Sequence, residues 1–118
     1  MKRKLISALE TLGFPVMLQG SLNPEESYPD SFITFWCDET EGDAHFDNET
    51  HSFIWYFSVI FYSANPTLVN AVPNDIRAVL KSAGFVVEGK GQDILSDEQS
   101  HTGWALDCFC TENEKKFN

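Results

Sequence analysis

The stretch from Asp38 to Thr50 concentrates the side chains that could bind a metal ion. Carboxylate oxygens and imidazole nitrogens are ligands of divalent cations, and His45 lies inside this stretch while His51 follows it. The spacing lacks the Glu that closes a calcium-binding loop. We therefore expect a solvated acidic loop between two antiparallel strands, with a metal protein or small enzyme as the less favoured alternative. The acidic residues of the stretch are Asp38, Glu39, Glu41, Asp43, Asp47 and Glu49.

The three cysteines, Cys37, Cys108 and Cys110, could supply a nucleophile or metal ligands. Cys108 could pair with His101 as nucleophile and base, but it falls on an apolar strand face, where a thiol is buried and unreactive. Three cysteines suit neither a disulfide framework nor a four-ligand zinc site. We expect buried free thiols.

Two polar segments in the second half of the chain resemble fragments of catalytic motifs. Gly89-Lys90-Gly91 lacks the rest of a phosphate-binding loop and no helix follows it, so a tight turn between strands explains its glycines better. Ser96-Asp97-Glu98, near His101, lacks the surroundings of a nucleophile elbow. The sequence therefore predicts neither an enzyme nor a bound cofactor.

The stretch from Ser52 to Ser63 is the strand around which the other elements must be arranged. It is rich in β-branched and aromatic residues and too short for a buried helix. Side chains alternate between the faces of a strand, and here both alternating sets are largely apolar. We expect a central strand covered on both faces, by a helix on one and by a second layer or neighbouring subunit on the other.

The flanking segments predict helices and shorter strands. The first helix spans 2–13, with an apolar stripe at helical spacing and Gly13 at its end. Pro73 should kink the helical pattern that follows Asn65-Pro66, or divide it into two short helices. The other expected elements are strands at Val16–Gln19, Phe32–Cys37, Phe85–Val87 and Gly103–Thr111, a polar loop at Gln92–His101 and a frayed tail at 112–118.

This order of elements predicts a single α+β domain over residues 1–118. Its sheet is expected to be mostly antiparallel or mixed, with about four to five strands. One helix precedes the strands, and another lies between strands three and four. The chain length suits one domain with its own core.

Charge is distributed unevenly along the chain. The net charge is −10, yet Lys2, Arg3 and Lys4 open the sequence and no Lys or Arg follows before Arg77. An acidic surface repels phosphate groups, so we expect no sequence-specific nucleic acid and no membrane among the partners. No signal peptide or transmembrane span is recognisable, which predicts an intracellular protein. The candidate contact residues are Lys2, Arg3 and Lys4, the six acidic residues of the 38–50 stretch, and Asp97 and Glu98.

Three segments, read together and in order, carry a family resemblance. They are Pro15-Val16-Met17-Leu18-Gln19-Gly20-Ser21, then Trp55 through Ser63 with Asn65-Pro66, then Ala83-Gly84-Phe85 through Asp93 with Ser96-Asp97-Glu98 and His101-Thr102-Gly103. In combination they resemble small tail-completion proteins of siphophages and prophages of Gram-positive bacteria, of the head-to-tail joining or tail-terminator type. None of the segments is a catalytic motif.

The resemblance implies a structural role in virion assembly. Such a protein completes the head-proximal end of the tail tube and joins the tail to the head, as a ring that is often a hexamer. Its expected partners are the tail tube protein and head–tail connector proteins. Its expected location is the host cytoplasm during assembly and then the virion tail. The alternative prediction is an acidic binding module or inhibitor that acts on a basic host protein.

Overall fold

A computed structural model describes residues 1–19, 28–42, 52–96 and 100–113 of the chain. The elements begin with the short helix that the apolar stripe predicts and include the central strand with the predicted bounds. In chain order they are α1 (Lys2–Glu10), β1 (Val16–Leu18), β2 (Ser31–Gly42), β3 (Ser52–Ser63), α2 (Pro66–Ser82), β4 (Val86–Leu95) and β5 (Thr102–Asn113).

The five strands form one mixed sheet in the order β1-β2-β3-β5-β4. β1 is parallel to β2, and the pairs β2–β3, β3–β5 and β4–β5 are antiparallel. The central strand β3 therefore has a full-length partner on each side. This arrangement confirms the predicted α+β class, the mixed sheet, the N-terminal helix and the helix between the third and fourth strands.

Both helices pack on the same face of the sheet. Leu5 and Leu9 of α1 are fully buried, as are Phe57, Val59 and Phe61 of β3, and all belong to one apolar cluster. α2 adds a buried stripe to this cluster at helical spacing: Val69, Val72, Ile76 and Leu80. The expectation that a helix covers one face of the central strand is confirmed.

The second helix is continuous, so the division into two short helices is wrong. Pro73 lies inside α2 and is itself buried within the stripe that faces the sheet. A proline removes one backbone hydrogen bond, but the burial of the surrounding apolar side chains outweighs that loss. Asn65 caps the helix, because its Oδ1 accepts from the Thr67 amide at 2.9 Å.

Strand β2 extends further than predicted and enters the stretch assigned to an acidic loop. It pairs with β3 as far as Gly42, which lies opposite Phe53. A β-bulge between Cys37 and Glu39 absorbs one extra residue, and the ladder then resumes. The expected end of the strand at Cys37 is therefore wrong. The residues that follow Cys37 have polar side chains, but their backbone still pairs with β3. The rest of the predicted loop, from Asp43 on, lies outside the described residues.

The last two strands also correct the expectation from sequence. Gly89 and Gly91 do not form a turn between strands but lie inside β4, which runs to Leu95. An irregularity between Glu88 and Gln92 accommodates them while the strand stays paired with β5. The predicted polar loop thus begins as strand. β5 includes Glu112 and Asn113, so the expectation that the chain frays from Glu112 is wrong for these two residues. The rest of the predicted tail, residues 114–118, lies outside the described residues.

Candidate protein-binding face

The sheet face opposite the two helices, here called the outer face, is the candidate site. Its side chains follow from the alternation along the strands and the register between them. Four strands contribute to it, and neither helix packs on it. Its central residues are Trp36 and Asp38 of β2, Ile54, Tyr56, Ser58 and Ile60 of β3, Asp107 and Phe109 of β5, and Val86 and Glu88 of β4.

The outer face exposes two large apolar side chains. Trp36 and Val86 are each 52% exposed although they lie on well-paired strands. Between them, Tyr56 and Phe109 pack as a tilted aromatic pair with ring centroids 5.7 Å apart. Trp36 is exposed and the Tyr56–Phe109 pair is half-buried, and aromatic side chains that reach solvent on one surface are typical of protein-binding sites.

A row of carboxylates crosses the middle of this apolar surface. The Ser58 hydroxyl lies 2.8 Å from Asp38 Oδ2 and 3.1 Å from Asp107 Oδ1. One hydroxyl has one proton, so it can donate to only one of the two carboxylates at a time. On the other side of Asp107, Glu88 lies directly opposite in the β4–β5 register. We call Asp38, Asp107 and Glu88 the acidic row.

The bulge in β2 is what brings Asp38 into this row. Cys37 lies opposite Phe57, which faces the core, and Glu39 lies opposite Tyr56, which faces outward. The inserted residue Asp38 therefore also lies on the outer side, within hydrogen-bonding distance of Ser58. Without the extra residue, the alternation would direct one of these two acidic side chains toward the helices.

The acidic row has no cationic partner within the part of the chain that the structure describes. Lys90 lines a cleft of about 370 Å³ beside Glu88 and Asp107, but it forms no ion pair with either. Among the described residues, the Met1 amino group and the Glu112 carboxylate form an ion pair at 4.0 Å, and neither belongs to the acidic row. Like charges placed directly opposite each other destabilise a sheet.

We expect Asp107→Asn to stabilise the isolated protein by about 0.5 kcal/mol, because it removes the charge in the middle of the acidic row. Urea denaturation at high dilution and low salt measures the change in the free energy of unfolding. Asp75→Asn, which removes an exposed carboxylate from the middle of α2, is the control and should change little. A destabilised Asp107→Asn variant would contradict the assignment of these charges as mutually repulsive.

One end of the outer face is closed by an aromatic cluster. The Phe32 and Tyr62 rings stack with centroids 5.2 Å apart, and Tyr28 packs edge-on against Phe32. His101 is buried beside them, with Nε2 2.8 Å from the Pro29 carbonyl oxygen and Nδ1 2.9 Å from Ser100 Oγ. His101 thus holds the segment before β2 in place, and its hydrogen bonds go to these groups rather than to Cys108.

Cys108 lies on the helix-covered face, where burial keeps its thiol protonated and therefore unreactive. Burial, and then the negative charges of Asp107 and other acidic groups, raises the pKa of the Cys108 thiol from its ordinary value of 9.0 to about 12. Cys110 is buried as well, and Cys37 is half-buried. The prediction of buried free thiols is confirmed for Cys108 and Cys110.

This raised pKa predicts slow alkylation of Cys108 in the folded protein. Well below pH 9.0 the thiol is protonated in both the folded and unfolded states, so there it adds no pH dependence to the stability. Between pH 9.0 and about 12 only the unfolded thiol ionises, and the stability falls as the pH rises. Mass spectrometry after iodoacetamide treatment should find Cys37 modified before Cys108. Equal rates would contradict the buried placement.

The three basic candidate residues lie in the first turns of α1 and are exposed. The Lys4 ammonium is used within the chain, 3.5 Å from Cys110 Sγ and 5.4 Å from the centroid of the Phe85 ring. Lys2 and Arg3 form no hydrogen bond or ion pair through their side chains with any of the described residues. The structure therefore separates Lys4, which packs against its own chain, from the two neighbouring cations.

Of the acidic candidate residues, three lie within the described part of the chain and five lie outside it. Asp38 and Glu39 lie on the outer face at the bulge. The backbone of Glu41, which also belongs to β2, pairs with that of Ile54 in β3. Sequence reasoning missed Ser58, Glu88 and Asp107, although Asp107 interrupts an otherwise uncharged strand pattern and gave a usable signal. The candidates outside the described residues are Asp43, Asp47, Glu49, Asp97 and Glu98, together with His45 and His51.

Within residues 1–19, 28–42, 52–96 and 100–113, no group of three or more His, Cys, Asp or Glu side chains is arranged to hold a metal ion. No helix among them is both long and apolar enough to cross a membrane.

Comparison of the chain with models of known protein families found no match, and comparison with curated protein sequences found no significant match. The candidate site therefore rests on the geometry of the outer face.

Proposed function

We propose that the protein completes the head-proximal end of a siphophage or prophage tail tube and joins the tail to the head. The observation that carries this proposal is the combination and order of the three family-like segments. In the fold they contribute β1, then β3 with the cap of α2, then β4 and the start of β5. All three segments therefore lie in or next to the sheet that carries the outer face.

The outer face supports a role in protein assembly. It combines exposed aromatic and aliphatic side chains with uncompensated carboxylates, which suits a protein partner that brings its own cations. The proposed partners are the tail tube protein, head–tail connector proteins and further copies of this chain in a ring. The net charge of −10 would repel DNA and allow it to slide past such a ring without binding.

Binding to purified tail tubes tests this proposal. The protein carries a gold label on a C-terminal tag and is mixed with tubes that lack their completion protein. Negative-stain microscopy should then find the label at one end of each tube, since completion occurs only at the head-proximal end. Label distributed along the tubes, or absent while the protein is folded by circular dichroism, would overturn the proposal.

The acidic row favours one alternative function, an acidic module that binds a basic host protein. Carboxylates placed across an exposed sheet face can complement a surface that normally binds phosphate groups. A pull-down from host lysate with the wild type and with Asp38→Asn/Asp107→Asn separates the two functions. Capture of a nucleic-acid-binding protein that depends on the acidic row, without labelling of tube ends, would favour the alternative.

A further inference from the structure

The chain carries two surfaces of opposite charge, and neither has an oppositely charged partner among the described residues. The acidic row lies on the outer face, surrounded by Trp36, Tyr56 and Val86. Lys2 and Arg3 project from the start of α1, where they are exposed. We call this pair the basic pair, and it excludes Lys4 because that side chain packs on Phe85 and Cys110.

The basic pair and the acidic row of one molecule lie on opposite sides of the sheet. Leu5 and Leu9 bury α1 in the same cluster as Phe57, on the helix-covered face. Lys4 approaches Cys110, which also belongs to that cluster. Asp38 and Asp107 lie on the other face, so the β-sheet itself stands between the two charged surfaces. They can meet only between two molecules.

We propose that the outer face of one copy binds the start of α1 of a second copy, with Lys2 and Arg3 placed over the acidic row. This inference deepens the proposed function, because it identifies the two surfaces of this chain that meet within its ring. The two surfaces differ, so the contact is head-to-tail, and head-to-tail contacts generate closed rings when the rotation between subunits closes.

The chemistry of the acidic row fits a guanidinium better than an ammonium. Asp38 and Asp107 flank Ser58 and share its single proton, so at least one carboxylate lacks a hydrogen from the hydroxyl. The guanidinium of Arg3 has five N–H donors in a planar fork and can bridge two carboxylates while it stacks on an aromatic ring. Tyr56 and Trp36 supply such rings next to the row. Lys2 adds a second positive charge toward the same row.

Sedimentation equilibrium of charge-reversed variants tests this contact. Wild-type protein should self-associate at low salt and dissociate as salt is added, because exposed charge pairs are screened. Asp38→Lys/Asp107→Lys and Lys2→Glu/Arg3→Glu should each weaken self-association by about tenfold or more, since each then sets like charges against each other. A one-to-one mixture of the two variants should restore it, because every contact in an alternating assembly is again complementary.

Two control variants change charge away from the contact. Glu10→Lys on α1 and Lys81→Glu at the end of α2 should leave self-association within about twofold of the wild type. Wild-type protein that stays monomeric at low salt would overturn the inference, as would self-association that the charge reversals leave unchanged or that mixing fails to restore. These outcomes are independent of the tube-labelling test, so a failed contact and a failed tail function can be told apart.

Discussion

Replacing Gly91 by Ala is expected to lower the free energy of unfolding by about 3 kcal/mol or more. Gly91 has φ +91°, which side-chain-bearing residues rarely adopt, and that alone costs about 1–2 kcal/mol. A Cβ at this position would also overlap the Ala105 carbonyl oxygen and the Trp104 indole nitrogen, and would lie 2.8 Å from Leu106 Cδ2. The obstructing carbonyl belongs to paired backbone and cannot move without breaking the ladder.

Gly89→Ala is the matched control for this prediction. Gly89 lies in the same irregular part of β4 with φ +63°, but a Cβ there would meet no atom within 4 Å. Its substitution should cost only the backbone term of about 1 kcal/mol. Urea denaturation monitored by tryptophan fluorescence compares the two variants. Equal losses would contradict the close approach of Gly91 to β5 that keeps β4 on the sheet.

Replacing Phe57 by Ala should lower the free energy of unfolding by about 3–5 kcal/mol, the range for deleting a buried phenyl ring. Phe57 is fully buried on the helix-covered face of β3, packed against Phe85 with ring centroids 6.2 Å apart. The substitution removes this contact and leaves a cavity between the sheet and the helices. The same denaturation measurement determines the loss.

Phe109→Ala tests the difference between the two faces with the same side-chain change. Phe109 lies on the outer face of β5, opposite Tyr56, and is only partly buried. Its removal should cost about 1–2 kcal/mol, because less apolar area leaves contact with protein atoms. A loss as large as that of Phe57→Ala would mean that the outer face is itself core, and it would remove the surface on which the proposed contacts depend.

Local sequence patterns were sufficient to predict the elements whose apolar residues follow one regular spacing. The run of aromatic and β-branched residues from Ser52 to Ser63 gave β3 its correct bounds. The apolar stripes indicated both helices, although α1 ends at Glu10 rather than at residue 13 and α2 is not divided at Pro73. The ends of β2 and the course of β4 were wrong because both strands contain bulges. A bulge allows a strand to stay paired through a segment of polar residues or glycines that does not look like a strand. Its position depends on the partner strand rather than on the local sequence.

The candidate site could be predicted only in part for the same reason. The sequence predicted Asp38 and Glu39 as candidate contact residues but assigned them to a loop. It could not join Asp38 to Asp107, because these residues come together only through the β2–β3–β5 register at Ser58. Long-range strand register is set by the whole sheet. The acidic row is thus a property of the fold.

Hydroxyl-radical footprinting of Trp36 tests most directly the central claim that a second protein subunit covers the outer face. The oxidation rate of Trp36, which is 52% exposed in the single chain, is measured at high dilution and again after assembly on tail tubes. Leu95, 96% exposed and at the far end of β4, serves as the internal reference. We expect Trp36 oxidation to slow several-fold on assembly while Leu95 is unchanged. An unchanged rate for Trp36 in assembled protein would contradict the account.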